Sequence, residues 1–305
     1  MLTIASLAPG ALHARLAGAG LRLRTGRFTM RLQADLAHVT EGIGRLYGDY
    51  PLLDDDAFAE FHLRLVRPRH LRRWLRPQVR LQCDGYEMFQ PMPQLHAYPL
   101  LEGGMNWCIS NRAHSYLMVH AAVLERQGRA VILPAPPGSG KSTLTAALAG
   151  KGGWRLLSDE LTLVELSTGL LVPNPRPISL KNASIGIIRD YLPDAVFSTP
   201  VHDTLKGTVA HLRAPGDAVR RADESARPAW IVFPQYAAGA ATTLEPLARA
   251  ATFMELAGNS FNYSVLGAEG FDALGRLIDH TAGFRFRYSA LDEALDTFAR
   301  LDAFA

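Results

Sequence analysis

The sequence predicts an α/β protein: a nucleotide-binding unit over residues 113–305, preceded by a smaller α+β region over residues 1–112. Two observations carry this. In "AVILPAPPGSGKSTLTAALAG" an apolar strand, Val131 to Leu133, passes through a Pro/Gly turn into a helix opening at Lys141 and Ser142. From residue 113 onward, strand-like and helix-like patterns alternate to the end of the chain, whereas the first third shows only short strands and one helical pattern.

In order, "LRLRTGRFTMRLQ" alternates as strands do, "LAHVTEGIGRLYGDYP" is a helical pattern stopped by Gly and Pro, and "VRLQCDGYEMFQPMP" predicts a hairpin at Asp84-Gly85. "YLMVHAAVLERQGRAVILPAP" predicts two apolar strands joined at Gln127-Gly128, and the helix from Ser142 to Ala149 closes at Gly150. "WRLLSDELTLVEL", "GLLVPNPRPISL", "GTVAHLRAP" and "PAWIVFPQY" read as further strands. "TLEPLARAATFMELAGNSFNY" goes from strand to amphipathic helix, "GFDALGRLIDHTAG" is helical and "FRFRYS" a strand. In the last helix, Ser289 and Asp292 have capping-box spacing.

With 305 residues, 48% of them apolar, the chain can fill one large or two modest cores. A formal charge of +3 does not point to nucleic acid, and no nucleic-acid-binding motif accompanies the basic residues. Between residues 61 and 83, however, Arg64, Arg67, Arg69, Arg72, Arg73, Arg76 and Arg80 occur with no acid among them. They form either a solvated face or a docking surface for an acidic partner, since guanidinium forks pair with carboxylates and phosphates. Cys83 and Cys108 have no metal-ligand spacing and read as packed, reduced thiols. No eighteen-residue apolar run and no secretory signal is evident, so a cytoplasmic protein without a membrane span is expected.

The turn supplies the chemistry of a phosphate-binding loop. Gly138 and Gly140 let successive backbone amides face an anion; Pro137, Ser139 and Thr143 complete the segment. Lys141 supplies charge to the β- and γ-phosphates, the Ser142 hydroxyl can hold Mg²⁺, and the helix N-terminus adds its partial positive charge. The pattern G-x-x-x-x-G-K-[ST] is met except at its first glycine, which is Ala135. Eighteen residues past Lys141, Asp159 and Glu160 end an apolar strand that is expected beside the loop strand. A carboxylate there can bind Mg²⁺ or take the proton of an attacking hydroxyl. Adjacent side chains of a strand face opposite ways, so a division of labour follows, with Asp159 as base or water-mediated metal ligand and Glu160 second.

The residues "MVHAAVLERQGRAVILPAPPGSGKST", "GGWRLLSDELTLV", "PRPISLKNASIGIIRDY" and "HDTLKGTVAHLRAP" resemble, in order and spacing, the C-terminal kinase domain of bacterial HPr kinase/phosphorylase, and more closely the HprK-related kinase A group. The resemblance covers about residues 113–300. It implies the P-loop kinase fold shared with phosphoenolpyruvate carboxykinase, ATP and Mg²⁺ as cofactors, and γ-phosphoryl transfer to a serine of a small protein or peptide. The family's histidine near the phosphates falls on His120, and its paired acids fall on Asp159, the general base, and Glu160. Its Glu-Ile-Arg-Gly signature aligns with Ser179-Leu180-Lys181-Asn182, which lacks the metal-ligating acid, so phosphorolysis is not implied. Lys206 and Gly207 match the related group, and Lys206 could neutralise transferring-phosphate charge or lie in solvent. His120 could equally be a hydrogen-bonded core residue. Self-association is expected by analogy. A small-molecule kinase of the same fold and an ATP-binding scaffold without transfer activity are the competing readings: the first requires a tight polar pocket near Asp159, where a peptide or protein kinase requires an open groove lined by the arginines from 64 to 80, and the second an Asp159 remote from the loop.

Overall fold

The computed structural model describes residues 2–68, 71 and 74–304. Arg69, Arg72 and Arg73 of the arginine run lie outside the described residues. Among those described, no helix is long and apolar enough to cross a membrane.

The architecture is mixed α/β with several sheets. Helix α1 (Pro9–Ala17) precedes the hairpin β1 (Leu21–Thr25) and β2 (Phe28–Ala34), helix α2 (Ala37–Leu46), strands β3 (Phe61–Val66), β4 (Gln78–Cys83), β5 (Tyr86–Glu87) and β6 (Met92–Pro93), and helix α3 (Ala97–Arg112). The strands make a sheet ordered β1-β2-β3-β4-β5, with β6 also on β4; β2 and β3 run parallel and the other pairs antiparallel. Period-two alternation sets its faces: on β3, Phe61, Leu63 and Leu65 are buried while His62 and Arg64 are exposed.

Next come β7 (Tyr116–Val119), β8 (Ala121–Arg126), β9 (Arg129–Pro134), α4 (Lys141–Gly150), β10 (Arg155–Ser158), β11 (Thr162–Glu165), β12 (Leu171–Val172), β13 (Ile178–Lys181), α5 (Ala183–Tyr191), β14 (Val201–Thr204) and β15 (Gly207–Leu212). The chain ends with α6 (Gly216–Arg220), β16 (Arg227–Tyr236), β17 (Thr243–Leu247), α7 (Arg249–Gly258), α8 (Tyr263–Leu266), α9 (Ala268–Asp279), β18 (Ala282–Tyr288) and α10 (Leu291–Ala299). The main sheet is ordered β10-β8-β9-β16-β18-β17, with β9, β16 and β18 parallel. Both its faces are buried: Ile132 and Ile231 pack with Leu256 of α7 and Leu274 of α9, whereas Val131, Leu133 and Val232 pack with Leu144 of α4 and Phe298 of α10. Two smaller three-stranded sheets, β12-β11-β7 and β13-β15-β14, complete the set, all of their pairs antiparallel. One apolar core runs from Ile4, Leu16 and Ile109 to Met118, Leu163, Ile178 and Leu212, and so continues across residue 112.

Three expectations need correction. The first strand of "YLMVHAAVLER" is broken at His120: β7 pairs with β11 and β8 with β9, so the chain changes sheet at that residue. Asp159 and Glu160 do end their strand, as the sequence indicates: β10 stops at Ser158 and the two acids occupy the bend to β11. However, β10 pairs with β8 and is therefore one strand removed from β9, because β8 folds back on β9 through the tight turn at Gln127-Gly128 and occupies that edge first. The Ser289/Asp292 capping box does not form: α10 starts after Ala290 with no side-chain cap, and Asp292 accepts instead from the Tyr191 hydroxyl at 2.6 Å.

Candidate active site

The loop Ala135–Gly140 leaves the C-terminal end of β9 and enters α4. Gly138 and Gly140 are left-handed, with φ of 88° and 87°. Ala135 is buried and is not left-handed, so the backbone there has no need of glycine. The parallel neighbours hold the loop: the Tyr236 amide donates to the Ser139 carbonyl at 2.8 Å, and the Tyr288 hydroxyl donates to the Gly140 carbonyl at 3.0 Å. A Cβ on Gly140 would sit 2.5 Å from the Tyr288 oxygen and 2.8 Å from the Tyr236 Cβ. Gly140→Ala is therefore expected to cost about 1–3 kcal/mol in a denaturant titration, with Gly138→Ala, where a Cβ meets nothing within 4 Å, costing less. By helix geometry the amides of the first turn of α4 have no intrahelical acceptors and are available to an anion.

Lys141 is only 8% exposed, and its Nζ lies 3.4 Å from Nε2 of His120. The break between β7 and β8 turns the histidine toward the loop, and its amide is tied to the Asn259 carbonyl at 2.7 Å. Burial, then the Lys141 charge, pushes the His120 pKa down to about 4, so the imidazole is neutral at pH 7 and can accept from the ammonium. Burial also lowers the Lys141 pKa, opposed by Asp159 and Glu160.

The two acids are held differently. Asp159 is buried; Oδ2 accepts from the Ser179 amide at 2.9 Å, and Oδ1 is buried with no partner among the described residues. Burial, then the Glu160 charge, raises its pKa to about 6, with Lys141 opposing. Glu160 is half-buried: Oε2 accepts from Asn106 Nδ2 at 2.8 Å, and Oε1 lies 3.7 Å from Lys181 Nζ. Burial pushes its pKa up, but Lys181, Lys206 and Lys141 outweigh that and hold it below the ordinary carboxylate value. The bend thus gives one carboxyl that can exchange a proton near neutrality beside one that stays ionised.

Asn106 ties Glu160 to the N-terminal part of the chain. Its Oδ1 accepts from Arg176, whose guanidinium also pairs with Glu102; Glu102 accepts from the hydroxyls of Tyr47 at 2.9 Å and Tyr98 at 2.7 Å. Removing the amide in Asn106→Ala leaves a buried guanidinium short of an acceptor and Glu160 short of a donor. The expected cost is about 1–3 kcal/mol in chemical unfolding, relieved by Asn106→Gln only if the longer side chain reaches both partners.

Lys206, at the exposed tip of the β14–β15 hairpin, faces the same cleft, a space of about 1480 Å³. Every candidate residue predicted from the sequence lines this cleft, from His120 and the loop Pro137–Thr143 to Asp159, Glu160 and Lys206. None of Arg64, Arg67, Arg76 and Arg80 does, so the expected arginine-lined acceptor groove is not formed by these residues; Arg67 pairs instead with Asp35 and Arg80 with Glu87. Sequence reasoning missed Asn106, Asn174, Arg176 and His211, which also line it; Oδ1 of Asn174 and Nδ1 of His211 are buried without partners among the described residues. A charged side chain inside the strand-like "PNPRPISL" was the available signal for Arg176.

Among the described residues no group of three or more His, Cys, Asp or Glu side chains is arranged to hold a metal ion. Mg²⁺ needs fewer protein ligands, one or two carboxylates completed by phosphates and water. The ionised Glu160, with the Ser142 hydroxyl lining the same cleft, fits that requirement, which leaves the free Oδ1 of Asp159 for a proton. No family model matches the chain, and no curated protein matches it.

Proposed function

We propose that the chain is an ATP-dependent phosphotransferase of the HPr kinase type, transferring the γ-phosphoryl group to a serine hydroxyl of a small protein or peptide. The observation that carries this reading is the convergence, in one cleft, of a left-handed glycine loop, a buried lysine and an acid with a free oxygen. The loop amides and Lys141 bind and orient the triphosphate, and Ser142 and Glu160 are the residues that would hold Mg²⁺, with Asp159 left as the base. When bound, Mg²⁺ supplies charge neutralisation on the phosphate oxygens. Asp159 takes the proton of the acceptor hydroxyl on Oδ1 as the serine oxygen bonds to phosphorus and the bond to the ADP oxygen breaks. Neutral His120 orients the Lys141 ammonium, and Lys206 and Lys181 add positive charge around the transferring group.

Two features favour this over the competing readings. Asp159 shares the cleft with the loop, and its charge bears on Lys141, as transfer chemistry requires and a scaffold does not. The cleft is wide and partly apolar, unlike the tight polar pocket of a small-alcohol kinase. The choice of serine rests on the resemblance of residues 113–300 to HPr kinase. Incubation with Mg²⁺, γ-labelled ATP and small proteins encoded beside this gene is expected to give acid-stable label on serine, and α-labelled ATP none. Label that stays in ATP or passes only to water would overturn the proposal.

A further inference from the structure

The cleft is larger than one ligand needs. Single-ligand pockets span about 300–1,000 Å³, and this space of about 1480 Å³ continues past the acids along α3 to the β5–β6 connection. That arm is lined by Phe89, Met92, Pro99, Leu100, Gly103 and Trp107. The Phe89 and Trp107 rings meet edge to face, with centroids 6.2 Å apart. The one carboxylate in the arm, Glu102, is buried and already paired with Arg176.

Gly103 stands out within it. A glycine inside a helix costs about 0.5–1 kcal/mol relative to alanine, and at Gly104 there is a packing reason, since a Cβ would lie 2.2 Å from Leu81 Cδ2. At Gly103 a Cβ meets nothing within 4 Å, and the position is exposed to the cleft. One turn further along the helix is Asn106, the donor to Glu160. A side chain lying over Gly103 is thus within a residue's reach of the acids.

We propose that this arm is the acceptor subsite, and that it takes a peptide segment carrying an uncharged, apolar side chain next to the serine. The inference rests on the kinase reading above. Continuity with the loop and acids places the occupant at the reacting end of the cleft. The arm's other polar side chains are His96, Asn106 and Ser110, and among the described residues it offers no carboxylate, lysine or arginine free to pair with a charged neighbour, which would lose its hydration there. Leaving position 103 without a side chain keeps the passage open.

The test uses the full chain and an arrayed library of single-serine peptides whose neighbouring residue is Leu, Phe, Gly, Asp or Lys. Label transfer from γ-labelled ATP is read beside fluorescence anisotropy of the matching Ser→Ala peptides with a non-hydrolysable ATP analogue. Leu and Phe peptides are expected to exceed Asp and Lys peptides about tenfold or more in both readouts. Gly103→Leu is expected to remove that preference with ATP affinity unchanged. Transfer without apolar preference, or a preference that survives Gly103→Leu, overturns the subsite and leaves the kinase reading standing. Apolar-selective binding lost in Gly103→Leu, but with no transfer to any peptide, keeps the subsite and overturns the kinase. Neither binding nor transfer overturns both.

Discussion

Lys141→Ala is expected to weaken ATP binding and to reduce transfer about 10²–10³-fold, the loss found when one preorganised donor is removed from a developing phosphate charge. The ammonium is 8% exposed and lies 3.4 Å from a neutral imidazole, so it is fixed in place before any nucleotide arrives and little reorganisation accompanies binding. Its removal also takes away a cation that favours the ionised form of Asp159. Calorimetric titration with ATP and Mg²⁺ should read the first effect. A rise in the pH at which the remaining activity appears should read the second. A variant that binds ATP as the parent does would show that the loop lysine does not face the phosphates.

Asp159→Asn is expected to reduce transfer about 10²–10⁴-fold while leaving ATP affinity largely intact, because it removes the proton acceptor and keeps an oxygen for the Ser179 amide. In the parent protein kcat/KM should rise with pH through about 6 and level off above it, since the base works only when ionised. The same shift has an opposite consequence for stability. The folded-state value of about 6 lies above the ordinary 3.8, so the native state holds the proton more tightly than the unfolded chain does. The favourable contribution is complete below pH 3.8 and is lost as pH rises through about 6. At pH 8 the ionised, buried Asp159 therefore destabilises the fold, by up to about 3 kcal/mol. Asparagine relieves that cost, so the inactive variant should melt higher than the parent at pH 8 and show little difference at pH 4. Thermal melts at the two pH values check the sign.

The parts of the fold legible in the sequence are those where period and punctuation agree. The strands β1 and β2, the helix α4, the strands β16 and β18, and the helices α7, α9 and α10 lie where alternation, amphipathicity and Gly or Pro boundaries put them; the pairing of β1 with β2 and the parallel run of β16 beside β18 were not read from the sequence. Helix α3 was not legible: Pro99 near its start and the Gly103-Gly104 pair argue against a helix locally. It is held by tertiary burial of Tyr98, Leu101, Met105 and Ile109 against β3, β4 and α2. The sheet change at His120 was also invisible, because it falls inside an apolar run that reads as one continuous strand; at Asp159-Glu160 the strand end was readable, but not that the next strand joins another sheet. Those two breaks bring the histidine and the acids to the cleft that the glycine loop borders. The loop itself was readable because its conformation demands glycine at Gly138 and Gly140. Asn106 and Arg176 were not, since their positions depend on contacts between segments far apart in the chain.

The most direct measurement is ATP binding and single-turnover transfer to a serine peptide, read on the same samples of parent, Lys141→Ala and Asp159→Asn. Loss of binding with Lys141→Ala alone, and loss of transfer with both, is the predicted result, because one residue acts on the nucleotide and the other on the acceptor. Asp159→Asn retaining parental transfer, or Lys141→Ala retaining parental binding and transfer, would contradict the assignment of this cleft as a phosphotransferase centre.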